Sequence, residues 1–147
     1  MISNTSLKII ESDIPTIVAL SKQIPEFEQP PEAPVYEERL NGVPHLILVA
    51  QLDGRNAGFK VGYEREGYFY SWMGGILPDF RKKGIAKALA DTQEKWAKKQ
   101  GYTTITFKTR NHHKGMLIFA LKNGFDIIGF KERETVETNR ILLRKTL

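Results

Sequence analysis

The residues best suited to chemistry lie where a strand is predicted to turn into a helix, at Arg81-Lys82-Lys83-Gly84. A helix start leaves its first backbone N–H groups without partners and carries about half a positive charge from the aligned peptide dipoles. Gly84 has no Cβ and Ala86 is small, so an anion can approach the backbone closely. The spacing therefore predicts a phosphate-binding loop, although a turn followed by a solvated helix start would leave the same pattern.

The patterns around this loop predict a strand, a helix and a second, parallel strand. The first strand covers residues 68–77, the helix runs from Ile85 to a C-terminal cap at Gly101, and the second strand covers residues 103–108. Gly74-Gly75 predicts either a bulge or a close approach of another backbone or ligand, because glycine weakens strands, and a bulge would splay the first strand from the second. The two-residue period places Trp72 and Met73 on opposite faces.

The other elements are predicted from the same periods and from turn residues. Strands over residues 45–52 and 57–66 precede the central strand, and together the three form an antiparallel meander. The remaining predictions are strands over residues 7–11, 125–130 and 140–147, and helices over 12–24, over 35–41 and from 114 onwards.

The hexapeptide Arg81-Lys82-Lys83-Gly84-Ile85-Ala86 resembles the R/Q-x-x-G-x-G/A signature of the GNAT superfamily of N-acetyltransferases. Gly75-Ile76-Leu77-Pro78-Asp79-Phe80 before it and Lys122-Asn123-Gly124-Phe125 later follow the family order, so the resemblance covers about residues 7–147. It implies an α/β (α+β) fold with a mixed, mostly antiparallel sheet of about six to seven strands. About four helices would flank this sheet, which would be splayed between its fourth and fifth strands.

The resemblance further implies that acetyl-CoA is the co-substrate and that its acetyl group passes directly to an amine. In the family the hexapeptide binds the pyrophosphate, and the pantetheine arm lies in the splayed gap, with an N–H near Ile76 facing the thioester carbonyl. The cofactor residues expected from the resemblance are Gly75, Ile76, Leu77, Arg81, Lys82, Lys83, Gly84, Ile85, Ala86, Lys87 and Asn111.

The expected catalytic residues are Tyr70, His112 and His113. Tyr70 stands where some family members place a carboxylate base. Many members also have a tyrosine acid four residues before the Gly of the Gly-Phe pair, where this chain has Ala120. The missing tyrosine leaves open a regulatory module that binds acetyl-CoA without turnover. The chain has no cysteine, which excludes a cysteine acyl-enzyme, and adjacent His112-His113 is not a metal-ligand spacing, so no metal is expected.

A proline-rich acidic segment, IPEFEQPPEAPVYEERL, is expected beside the acceptor site. Glu26 and Glu28 would attract a cationic amine, and Phe27 or Tyr36 would pack on its carbon skeleton, although surface loops are often rich in Glu and Pro. Trp72 is assigned to the acceptor site as well.

Length and charge limit the remaining possibilities. A chain of 147 residues predicts a single domain over residues 1–147. Residues 1–73 carry 6 basic and 10 acidic side chains, whereas residues 74–147 carry 16 and 7, which suits a polyphosphate cofactor in the second half. No nucleic-acid reader motif or membrane-spanning run is present, so we expect a cytoplasmic monomer or homodimer that acts on a small-molecule or peptide amine.

Overall fold

The computed structural model describes residues 6–147. In this part of the chain seven strands and four helices form one sheet with helices on its faces. Their bounds in chain order are β1 (Leu7–Glu11), α1 (Ile14–Ser21), α2 (Ala33–Leu40), β2 (His45–Leu52), β3 (Arg55–Arg65), β4 (Tyr68–Ile76), α3 (Ile85–Lys99), β5 (Thr104–Arg110), α4 (Lys114–Lys122), β6 (Asp126–Lys131) and β7 (Arg140–Thr146), with a 3₁₀ turn at Pro78–Phe80 between β4 and α3.

Local sequence explains where the helices begin. The Asp13 carboxylate accepts a hydrogen bond from the Thr16 backbone N–H at 3.0 Å and so caps α1, as its position before the apolar run predicts. Proline lies in the first turn of α2, where its missing N–H costs no helical hydrogen bond. The predicted elements are all present, with bounds that differ by at most a few residues, because each follows a clear local period.

The sheet has the strand order β1-β2-β3-β4-β5-β7-β6. Every neighbouring pair is antiparallel except β4 and β5, which are parallel and joined through α3. These two strands pair only at Phe69–Ile105 and Tyr70–Thr106, after which they diverge. The predicted mixed, mostly antiparallel sheet, splayed between its fourth and fifth strands, is therefore confirmed.

Of the two interpretations of Gly74-Gly75, the bulge is wrong. Both glycines keep regular antiparallel partners on β3, because Gly74 pairs with Lys60 and Gly75 pairs with Phe59. Gly75 instead makes room for the segment after α1, since a Cβ there would lie 2.8 Å from Ile24 Cδ1. Close packing against Ile24, rather than an irregular strand, explains why position 75 is a glycine.

The irregularity of β4 lies at Trp72. Met73 pairs with Val61 and Ser71 pairs with Gly62, so Trp72 is an extra residue between them. Trp72 and Met73 consequently pack against the same apolar cluster, and the prediction that they occupy opposite faces is wrong. The bulge turns the Trp72 ring towards α2, where it lies 5.0 Å from the Tyr36 ring.

Two apolar clusters cover the two faces of the sheet. The first joins α1 and α2 to β2, β3 and β4, with Ile17, Tyr36 and Phe59 fully buried. The second joins α3 to the opposite face and is centred on Phe69 and Leu89. The central strands are thus held from both sides, which fixes the line along which β5 leaves β4. None of the helices between residues 6 and 147 is long and apolar enough to cross a membrane.

Substituting Gly58 should test the tight packing of β3 on β4. A Cβ at Gly58 would lie 2.7 Å from the Gly75 carbonyl oxygen and 2.6 Å from Ile76 Cδ1, so the backbone must shift. We expect Gly58→Ala to lower the free energy of unfolding by about 1–3 kcal/mol. Gly129→Ala on β6 is the control, because no atom lies within 4 Å of its Cβ position, and a change of under about 0.5 kcal/mol is expected. Equal effects in urea unfolding would contradict this packing.

Candidate active site

The gap between β4 and β5 opens into a cleft of about 1160 Å³. Its walls come from β3, β4, β5, α3, α4 and the segment after α1, with Arg39 of α2 and Arg140 of β7 added, so it reaches residues on both faces of the sheet. The start of α3 lies at one end of the cleft, and Tyr70, where the two strands part, lies at the other. We call these the loop end and the Tyr70 end.

The loop end has the geometry of an anion site. Gly84 caps α3 in the left-handed conformation with φ 77°, and Lys82 is also left-handed with φ 62°. Alternation of this kind turns backbone N–H groups towards a common point. The first helical hydrogen bond runs from the Ala88 N–H to the Gly84 carbonyl, so the three preceding helical N–H groups have no carbonyl one turn earlier.

Most of the residues predicted to bind the cofactor line this cleft. They are Gly75, Ile76, Arg81, Lys82, Gly84, Ile85, Ala86 and Lys87. Lys83, Leu77 and Asn111 do not line it. The Leu77 N–H donates to the Ala57 carbonyl at 2.8 Å, and the Asn111 side chain donates to the Val136 carbonyl at 3.2 Å. These two groups are engaged within the protein, and their assignment to the cofactor stays a prediction.

Arg81 connects three segments at the mouth of the cleft. Its guanidinium donates two hydrogen bonds to the Glu26 carboxylate, at 2.9 and 2.7 Å, while its Nε donates to the Ile76 carbonyl at 3.1 Å. Hydrogen bonding from Arg81 lowers the pKa of Glu26 below its usual value. Glu26 is thus already paired, and Glu28 is exposed and lies outside the cleft lining. The ion pair of Glu26 and the position of Glu28 disfavour the expectation that these two carboxylates attract a cationic amine, which stays a prediction.

The backbone of Ile76 faces the open gap. In a strand the N–H and C=O of one residue point to the same side, and successive residues alternate. The Leu77 N–H bonds to β3, so the Ile76 N–H points the other way, towards the space that β5 has left. The bond from Arg81 to the Ile76 carbonyl lies on that same side. This geometry supports the prediction that the Ile76 N–H is available to a ligand.

Aromatic side chains form the wall of the Tyr70 end. The Tyr63 ring meets the Tyr70 ring at 5.6 Å and the Trp72 ring at 5.7 Å, both edge to face. Burial raises the pKa of Tyr70 above its ordinary value, with a smaller contribution from Tyr63, so its hydroxyl is protonated at neutral pH. A protonated phenol can donate a proton but cannot act as a base.

Of the residues assigned to the acceptor, Phe27 and Trp72 line the cleft, but Tyr36 does not. Tyr36 is fully buried between α2 and the sheet, and its hydroxyl finds no hydrogen-bond partner among the described residues. Burial raises its pKa to about 12. Tyr36 is a core residue that packs behind Trp72. The prediction that it contacts an acceptor directly is therefore wrong.

The two predicted histidines stand at the start of α4 and line the cleft. His112 Nδ1 lies 2.9 Å from the Glu137 carbonyl, which fixes its ring. The pKa of His113 is lowered mainly by burial, with further contributions from His112 and Arg110. His113 is therefore neutral at pH 7 and able to accept a proton. Between residues 6 and 147 no three His, Asp or Glu side chains are placed to hold a metal ion.

Gln93, Glu94 and Lys60 are among the polar residues of the cleft that the sequence did not indicate. Gln93 of α3 is fully buried, and neither its amide oxygen nor its amide nitrogen has a partner among the described residues. Glu94 beside it pairs with Lys145 at 2.7 Å. Burial lowers the pKa of Lys60, on β3, to about 8, against a weaker opposing influence of Glu94. The sequence gives a weak signal for Gln93, because this polar residue falls on the apolar, buried face of α3. Nothing in the sequence indicates that Lys60 lines the cleft.

Comparison with known proteins identifies the family. A family model described as the acetyltransferase (GNAT) family matches residues 14–125. The chain belongs to the GNAT acetyltransferase family. An acetyltransferase of Pectobacterium atrosepticum is 32% identical over 81 residues, which cover 55% of this chain and 57% of that protein. The match thus spans little more than half the length of this curated relative.

Solved structures of acetyltransferases share the fold. The ribosomal-protein-S18-alanine N-acetyltransferase of Escherichia coli superposes with a TM-score of 0.84 at 14% identity, covering 96% of this chain and 94% of that one. The PaiA N-acetyltransferase of Thermoplasma acidophilum, solved in complex with coenzyme A, gives a TM-score of 0.73 at 17% identity, with 97% and 99% covered. At these identities the likeness establishes the fold of this GNAT chain.

The half-buried Lys60 should produce a distinctive pH dependence of stability. Its pKa of about 8 in the fold is below its ordinary value of 10.5, so between these pH values the unfolded chain binds more protons and stability rises with pH. We expect Lys60→Met to raise the free energy of unfolding at pH 7 by about 1–3 kcal/mol, and so to raise the thermal midpoint. This gain in stability should shrink as the pH rises from 8 to 10.5.

Thermal unfolding at several pH values measures this effect. Lys98→Met, at an exposed lysine near the end of α3, is the matched control and should show no such trend. A gain for Lys60→Met that stays constant up to pH 10.5 would exclude charge burial as its cause.

Proposed function

We propose that this chain is an enzyme that transfers an acetyl group from acetyl-CoA directly to a primary amine. The observation that carries the proposal is the free backbone edge of β4. The Ile76 N–H faces a cleft that begins at an open helix N-terminus with φ 77° at Gly84. An anchor for phosphates and a donor for a thioester carbonyl thus lie on one continuous surface, as acyl transfer from a phosphate-bearing thioester requires.

The residues of the cleft fit the parts of acetyl-CoA. The N–H groups at the start of α3, with Lys82 and Lys87 beside them, suit the diphosphate. The buried Gln93 amide lacks partners, and the pantetheine arm carries amides that can supply them. Family membership and the coenzyme A found in the Thermoplasma structure support the same co-substrate.

Acetyl-CoA supplies the activated acyl group, and residues of the chain stabilise the developing negative charge and transfer protons. A free N–H on the β4 edge between Tyr70 and Ile76 would stabilise the negative charge that develops on the carbonyl oxygen, a contribution of the order of 10²–10³ in rate for such donors. The protonated Tyr70 hydroxyl would donate to the departing thiolate in place of the tyrosine that Ala120 replaces. The acceptor must lose a proton before attack, and neutral His113 is the candidate base, directly or through water.

A carboxylate placed at the start of α3 should abolish cofactor binding without unfolding the protein. Ala86 is exposed and lines the loop end. In Ala86→Glu the helix dipole favours the new charge, so stability should hold or rise by about 0.3–1 kcal/mol, while the diphosphate is repelled. We expect the calorimetric Kd for acetyl-CoA to rise at least about tenfold, which corresponds to about 1.4 kcal/mol.

Gln100→Glu is the matched control, because it adds the same charge at the far end of α3, about 20 Å away at 1.5 Å per residue. Its affinity for acetyl-CoA should equal that of the wild type. If both variants bind acetyl-CoA as the wild type does, the helix start is not the phosphate site.

Tyr70→Phe should separate catalysis from binding. Removing the hydroxyl leaves the ring packing intact, so the Kd for acetyl-CoA should stay constant while kcat falls by about 10²-fold, the lower end for a general acid. Tyr68→Phe is the control, since Tyr68 lies on the same strand but outside the cleft lining. Release of the coenzyme A thiol with a panel of amines measures both variants. Binding of acetyl-CoA without turnover of any amine by the wild type would favour the regulatory module that Ala120 leaves open.

A further inference from the structure

Four cationic side chains surround Tyr70 at its end of the cleft. Arg65 lies 5.2 Å and Lys108 lies 5.8 Å from the centre of the Tyr70 ring. Arg39 of α2 stacks at 4.7 Å on Trp72 and donates a hydrogen bond to the Tyr63 hydroxyl at 3.3 Å. Arg140 of β7 completes the group and lines the same cleft. We call Arg39, Arg65, Lys108 and Arg140 the Tyr70 cation group.

These cations have no carboxylate partner in the part of the chain that the structure describes. The two acidic residues that line the cleft are Glu26 and Glu94, and each is already bound, to Arg81 and to Lys145 respectively. In addition, the Arg140 Nε is buried and makes no hydrogen bond to any of residues 6–147. Arg65, Lys108 and Arg140 are half-buried, Arg39 is exposed, and Glu66 opposes the positive field at Lys108 only weakly. Half-buried positive charges without an ion-pair partner favour binding of an anion, because the anion regains the interactions that burial removed.

The phosphates of the coenzyme are too far away to serve as this anion. Tyr70 precedes Ile76 by six residues on β4, and a strand rises about 3.3 Å per residue, so the two ends of the cleft are about 20 Å apart. A diphosphate on the first turn of α3 would stay at the loop end. The Tyr70 cation group therefore needs an anion of its own.

The side chains around the Tyr70 cation group indicate the chemistry of the rest of the ligand. The rings of Tyr63, Tyr70 and Trp72 form an apolar wall beside the cations, suited to a short carbon skeleton. Arginine forks bind planar carboxylates and phosphates with two hydrogen bonds, whereas a cationic group here would be repelled. The free edge of β4, from which the acyl group would be presented, begins directly beyond Tyr70.

We propose that the acceptor is a primary amine that carries an anionic group, a carboxylate or a phosphate, held by the Tyr70 cation group. This inference rests on the proposed function and names the substrate class of the same site. The ammonium first loses one proton, its nitrogen then forms a bond to the acyl carbon, and the carbon–sulfur bond breaks. The nitrogen releases a second proton, and the thiolate leaves with the electron pair and takes up one proton, giving an N-acetyl product and free coenzyme A.

Pairs of amines that differ only in the anionic group test the inference. Phenylalanine and phenethylamine, histidine and histamine, and O-phosphoethanolamine and ethanolamine are assayed by release of the coenzyme A thiol, with acetyl-CoA binding followed separately by calorimetry. We expect kcat/KM for the anionic member of at least one pair to exceed that of its partner at least tenfold. The first two pairs report on carboxylates and the third on phosphates.

Substitutions in the cation group identify the residues responsible. We expect Arg65→Met and Lys108→Met each to raise KM for the preferred anionic amine about tenfold or more, with a much smaller change for the partner amine that lacks the anionic group. Arg133→Met and Lys98→Met remove the same charges at exposed positions outside the cleft and should leave both kinetic constants unchanged.

Three results would overturn the inference: equal rates within every pair, preference for the decarboxylated or dephosphorylated member, or no turnover of any anionic amine while acetyl-CoA binds. A wild-type protein that binds no acetyl-CoA would refute the proposed function itself, and calorimetry distinguishes that failure from the others.

Discussion

The parting of β4 from β5 is the constraint on which the site depends. The two strands share only two residue pairs, at Phe69 and Tyr70, so the rest of β4 exposes one edge of its backbone. Buried backbone groups must be satisfied, by the protein, by water or by a ligand. Arg81 satisfies the Ile76 carbonyl, while the Ile76 N–H faces the cleft. The packing of α1, α2 and α3 on the central strands holds this edge open, since neither face can move to close it.

Positive charge is concentrated in the cleft, and it is divided between the two ends. Ten of its lining residues are Lys or Arg, and its two carboxylates are both neutralised by ion pairs. Lys87 and the other cations of the loop end stand beside a helix N-terminus, whereas the Tyr70 cation group stands among aromatic rings. The first setting suits a hydrated phosphate chain and the second a small, partly apolar anion. One positive cleft thus has two chemically different ends.

The sequence allowed prediction of the elements, the loop and the splay, because each has a local period or motif. Side-chain contacts between distant segments could not be predicted in this way. The bidentate pair of Glu26 with Arg81 joins residues 55 positions apart, so an acidic segment was misread as free carboxylates. The bulge at Trp72 likewise follows from packing, not from the two glycines that suggested it. The Tyr70 cation group draws one residue from each of four elements, and no single stretch of sequence displays it.

Lys108 shows what the Tyr70 end does to an amine. Burial lowers the pKa of Lys108 below its ordinary value, and Arg65, Lys131 and Arg140 lower it further against a weaker opposing influence of Glu66. An acceptor amine bound at the same place meets the same desolvation and the same positive field, so its neutral, nucleophilic form is favoured there. An anionic group on that acceptor offsets the repulsion and supplies the binding energy. The cations would then hold the acceptor by one end while helping to deprotonate the other, which reduces what a dedicated base must contribute.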